Sequence, residues 1–79
     1  METALIDLEP SGGFHPSLSG LVVNESYSGC ALVLVSNEDI QPNQKILAKI
    51  GDMDAMTARI VWCKTLEENI KKVGLEFDT

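Results

Sequence analysis

The sequence predicts an all-β domain, a small antiparallel barrel or sandwich, and three observations predict it. Five or six short apolar runs recur along the 79 residues, and Gly, Pro, Asn and Asp clusters separate them. The cleanest run, Lys71–Asp78, sets Val73, Leu75 and Phe77 against Lys72, Gly74, Glu76 and Asp78, the period of two that a half-buried strand requires. The one stretch with a competing helical spacing, Gln44–Arg59 (Ile46, Leu47, Ile50, Met53), is interrupted by Gly51, Asp52 and Asp54. A Gly inside a helix costs about 1 kcal/mol relative to Ala, so strand–turn–strand is favoured there.

In order along the chain, Thr3–Leu8 is a first short strand, ended by Pro10-Ser11-Gly12-Gly13. Phe14-His15-Pro16 prolongs the break, so residues 9–17 are expected to form a flexible connection or arm, with 18–78 as the core of a single domain. Leu18–Val23 and Gly29–Val35 are the next apolar runs, the second rich in Leu and Val as a buried strand is. Asn24–Gly29 is the turn between them. Ser36–Asp39 is a polar loop, and Pro42-Asn43 is a tight turn in which Pro fixes φ and Asn tolerates the left-handed region. Gln44–Ile50 and Ala55–Lys64 are paired strands around the Gly51–Asp54 turn. In the second, Ala58, Ile60 and Trp62 alternate with Arg59, Val61 and Cys63, which places Trp62 in the core.

Composition is that of an ordinary globular domain, 44% hydrophobic and 23% charged. No apolar run reaches the roughly 18 residues that span a bilayer, and no basic segment announces a signal peptide, so the default location is cytoplasmic. The net charge of −6 is uneven, because no Lys or Arg precedes Lys45. An acidic surface repels polyanions, which argues against nucleic acid and anionic membranes and for either simple solubility or a basic protein partner. Cys30 and Cys63 are expected as small buried hydrophobes, and with His15 as the only histidine no zinc site can be assembled from Cys and His. No cofactor is implied. One His in a Gly/Pro loop is poor support for a nucleophile, and no phosphate-cradling Gly loop is present, so no enzyme is expected.

The order of features resembles one family. Asn24-x-Ser26-x-x-Gly29 is similar to the Asp/Asn-x-Ser-x-x-Gly motif of PilZ domains. The apolar strand Cys30–Val35 follows it. Ala58-Arg59-Ile60-Val61-Trp62 resembles the family's Ala-x-Val-x-Trp run, and Gly74-Leu75-Glu76-Phe77 its closing Gly-x-x-Phe. The likeness covers about residues 18–78. It implies a six-stranded antiparallel β-barrel of the family that receives cyclic di-GMP, with Asn24 and Ser26 contacting a guanine edge and Gly29 making the turn. The family's C-terminal helix has no counterpart here.

The family's upstream Arg-x-x-x-Arg pair, which clamps the ligand's phosphates and stacks on guanine, also has no counterpart, since residues 1–23 contain no Arg or Lys. Each lost charge-assisted contact is worth about 1.5–3 kcal/mol. The expectation is therefore a bacterial signalling or motility adaptor working by protein–protein contact, with lost or very weak nucleotide binding. Tyr27, in the turn, is the candidate interface residue, as aromatic residues anchor interfaces. The alternative is a cyclic di-GMP receptor using Asn24 and Ser26 with cations from elsewhere or from a second chain. A homo-oligomer joined through strands or apolar ends is a third expectation.

Overall fold

A computed structural model describes residues 2–78. Six strands, β1 (Thr3–Asp7), β2 (Leu18–Glu25), β3 (Gly29–Val35), β4 (Lys45–Ile50), β5 (Met56–Glu67) and β6 (Ile70–Phe77), close into an antiparallel barrel in the order β1-β2-β3-β6-β5-β4. Closure gives every strand a paired neighbour on both sides, although β5 beyond Ile60 is paired by β6 alone. Among the described residues there is no helix, and the helical spacing of 44–59 gives way to β4, a turn with Gly51 at φ 54°, and β5.

Period-two alternation builds the interior. Ala4 and Ile6, Leu32 and Leu34, Ile46, Ala48 and Ile50, Ala58 and Ile60, and Val73 and Leu75 all point inward and are buried. Small Ala side chains stand among the large ones, as a narrow six-stranded barrel requires. Leu8 and Ile40, from the connections, are also buried in this core. Asn43 takes φ 72°, the left-handed turn conformation expected of it.

β1 is a full stave. Ala4 pairs with both Gly20 of β2 and Ile50 of β4, so the first strand is what closes the barrel. The connection after it, expected as a flexible loop, is tied to β1 near both of its ends. The buried Asp7 carboxylate accepts from the backbone N–H of Glu9 (3.2 Å) and of His15 (2.9 Å), and Ser17 N–H donates to the Ile6 carbonyl at 2.9 Å.

The main correction concerns β5. Ile60 pairs with Leu75 and Trp62 with Gly74, so Val61 is an extra residue, a β-bulge. The bulge shifts the alternation by one. Trp62, expected in the core, is turned outward and is 41% exposed. Cys63 turns inward instead, where it is half-buried against the core, whereas Cys30 is buried as expected.

Candidate functional site

The link from β2 to β3 is shorter than the sequence suggests, because Asn24 and Glu25 still belong to β2 and Glu25 pairs with Cys30. Ser26 closes what remains. Its N–H donates to the Gly29 carbonyl at 2.9 Å, and its hydroxyl donates to the same oxygen at 3.3 Å. The Ser28 carbonyl accepts from Phe77 N–H at 2.8 Å, which pins the turn to the end of β6.

Gly29 does not supply a positive φ, the role the turn motif suggested; the residues at positive φ are Gly12, Asn43 and Gly51. Gly29 is needed for close approach. A Cβ on it would stand 2.0 Å from the Leu75 carbonyl oxygen, so no larger residue fits between β3 and β6.

A second bulge lies in β2, where Val22 pairs with Leu32 and Asn24 with Ala31, leaving Val23 extra. With regular alternation from the inward Val22, Asn24 would face the core; the bulge puts it outside, exposed. Both bulges therefore deliver a side chain to one transverse row of the outer surface, Asn24–Ala31–Gly74–Trp62, each neighbour paired across its ladder. The two middle residues are the smallest available, and the row sinks into a depression of about 240 Å³. Trp62 walls it, its indole lying against Gly74, where an added Cβ would be 2.2 Å from Nε1.

The other residues lining the depression include Ser26, Ser28, Glu25 and Glu76, and no Lys or Arg lines it. Glu25 stands close to Glu2, and a side-chain hydrogen bond with that carboxyl, then its charge, raises the Glu25 pKa. Cys30, also lining the depression, has its thiol pushed up to about 11, first by burial and then by the charges of Glu25 and Glu2. The local field is thus negative.

Cations stand on either side. Toward the turn, Arg59 Nη2 meets Glu76 Oε1 at 3.2 Å, an exposed ion pair on the row Gly29–Glu76–Arg59–Lys45. On the other side, Lys72 and Lys64 are directly opposite each other across β5 and β6. Neither lysine is in an ion pair among the described residues.

The structure thus brings Asn24, Ser26 and Gly29 to one place. Tyr27 projects from the turn beside them, wholly exposed and outside the depression. Sequence reasoning missed Trp62, Gly74 and Ala31 as parts of the site. The available signal was the pair of adjacent apolar residues Val61-Trp62 inside an otherwise alternating strand. Among the described residues, no group of three His, Cys, Asp or Glu side chains could hold a metal ion, and no helix is long and apolar enough to cross a membrane.

Comparison with family models, with curated proteins and with solved structures gave no match to this chain.

Proposed function

We propose that this barrel is a docking module, a PilZ-like regulatory domain that works by protein–protein contact and has lost or nearly lost nucleotide binding. The observation that carries the reading is the composition of the depression beside Asn24 and Ser26. It has an aromatic wall and two carboxylates, Glu25 and Glu76, and no cation lines it. Glu76 is offset by its ion pair with Arg59, so a dianionic ligand entering there would meet repulsion from Glu25. Beside it stand a wholly exposed Tyr27 and the half-exposed Trp62, Val61 and Val23, the aromatic and apolar content of an interaction surface. An adaptor role in bacterial motility, pilus or surface-behaviour signalling follows from the sequence resemblance.

The test is calorimetric titration of cyclic di-GMP at low salt, at protein concentrations that reveal micromolar binding. No heat and no change in melting temperature are expected. In parallel, Tyr27→Ala should abolish pull-down of the protein partner; retained pull-down by a folded variant removes Tyr27 from the surface.

A second reading has its own observation. Lys64 and Lys72, in no ion pair among the described residues and adjacent to the Trp62–Gly74 row, are cations that the order of the sequence does not place near Asn24. A cyclic di-GMP receptor would use them in place of the upstream arginines. Saturable binding that is lost in Lys64→Ala and Lys72→Ala would select this reading over the first.

A further inference from the structure

We infer that the Trp62 depression receives a basic side chain, the guanidinium or ammonium group of a partner protein. The inference rests on the docking reading and names the chemistry of what docks.

Three features fit a cation. The first is the wall. Trp62 lies against Gly74 and remains 41% exposed, so the indole is held by the strand beneath it while part of its surface stays open. Trp is the best of the aromatic rings for attracting a cation over its face. The second is the rim. Glu25 and Glu76 supply carboxylates, and Asn24, Ser26 and Ser28 supply oxygen acceptors around the same opening. Ser26 Oγ donates its proton to the Gly29 carbonyl, which leaves its lone pairs free to accept.

The third is an unbalanced charge. Glu2 stands close enough to disfavour the ionisation of Glu25, and the charges of both reach the Cys30 thiol inside the wall. A bound cation relieves that repulsion. The own-chain cation nearest the rim, Arg59, is engaged by Glu76. Lys64 and Lys72 stand one row farther from the turn, about 7 Å away at the rise of two strand residues. They border the site without lining it.

The floor explains the fit to a side chain. With Ala31 beneath it and the indole over Gly74 as its wall, the depression has room for one extended stem and its head group, on the scale of its 240 Å³. Arg suits it better than Lys, because a planar guanidinium can stack on the indole while its edge bonds a carboxylate. The absence of Lys and Arg from residues 1–44 adds long-range attraction for a basic partner.

The experiment uses the whole chain, isotopically labelled, titrated with three blocked tripeptides: acetyl-Gly-Arg-Gly-amide, the Gln analogue and the Glu analogue. Amide shifts of Ala31 and Gly74 and the Trp62 indole N–H are followed by NMR. The Arg peptide should give saturable shifts centred on these groups, at least threefold tighter than the Gln peptide, with none from the Glu peptide. Trp62→Ala and Glu25→Gln, both on the surface and compatible with folding, should each weaken the Gly74 response threefold or more. Equal response to Arg and Gln peptides overturns the inference, and so do Arg-dependent shifts spread over all the acidic residues and unchanged in Trp62→Ala. If the Arg peptide fails while cyclic di-GMP also fails, only this inference falls. If cyclic di-GMP saturates the same amides, the docking reading falls with it.

Discussion

At the scale of single residues, two glycines in the site are fixed by contacts of different stiffness. An added methyl at Gly29 meets the Leu75 carbonyl, which is backbone, whereas at Gly74 it meets the Trp62 indole, which can swing away. Gly29→Ala should therefore destabilise the domain more than Gly74→Ala, for which an overpacking cost of about 1–3 kcal/mol is expected. Urea denaturation measures both. A Gly74→Ala, Trp62→Ala cycle should show coupling, because removing the indole removes the clash. Cys30 gives a pH dependence. Its thiol is raised from 9.0 to about 11 in the folded chain. As pH rises through that window the unfolded chain releases a proton that the folded chain retains, so stability falls between about pH 9 and 11 and is unaffected below. Cys30→Ala should flatten that fall. Glu25 has its pKa raised by Glu2, so its ionised form is disfavoured by folding, and acidification through that pKa relieves the penalty. Glu25→Gln should accordingly raise the melting temperature at neutral pH and lose that advantage in acid.

The individual strands were legible in the sequence because burial on one face writes a period of two, as in Val73, Leu75 and Phe77. What the period cannot record is where a ladder gains a residue. The bulges at Val23 and Val61 leave composition untouched and shift the facing of the residues just beyond them, Asn24 in β2 and Trp62–Thr65 in β5, before a further irregularity between Thr65 and Glu67 shifts β5 again. That is why Asn24 and Ser26 could be placed together from their motif, while Trp62 was assigned to the core and the depression went unseen. Deleting Val61 should remove the bulge and leave Ile60 opposite Leu75 and Trp62 opposite Gly74 in an unbroken ladder, with Trp62 still outward and Cys63 still inward. The interior formed by Ile60, Leu75 and Val73 is untouched by that change, so the deletion variant should keep a cooperative transition by circular dichroism; a lost transition would mean that the bulge itself is required by the fold. The β5–β6 hairpin makes a gentler test. Lys64 faces Lys72 directly, and like charges in opposed positions are unfavourable. Replacing repulsion by attraction in Lys72→Glu should stabilise the domain by about 0.2–1 kcal/mol, an effect that salt should diminish.

For the whole molecule, the consequential fact is closure. A chain of 79 residues has little core to spare, and six short strands reach stability here by closing the sheet on itself. The sequence suggested that residues from Leu18 onward would form the core of the domain. The pairing of β1 with both β2 and β4 predicts that the domain also needs its first strand. Removing the first eight residues would withdraw Ala4, Ile6 and Leu8 from the interior, leaving Leu34, Ile46, Ile50 and their neighbours facing a gap. It would also strip hydrogen-bond partners from β2 and β4 at once, converting a closed barrel into an open sheet with two sticky edges. Truncation of residues 1–8 should therefore yield a chain without a cooperative thermal transition and with a strong tendency to associate, read by circular dichroism and light scattering. A synthetic peptide of those eight residues, added in excess, should restore the transition in proportion to its concentration, because it binds the folded form alone. A truncated chain that remains monomeric and melts cooperatively without the peptide would mean that five strands suffice and that β1 is an accessory. In that case the Glu2 carboxylate, and with it its charge beside Glu25, could be removed without cost to the fold.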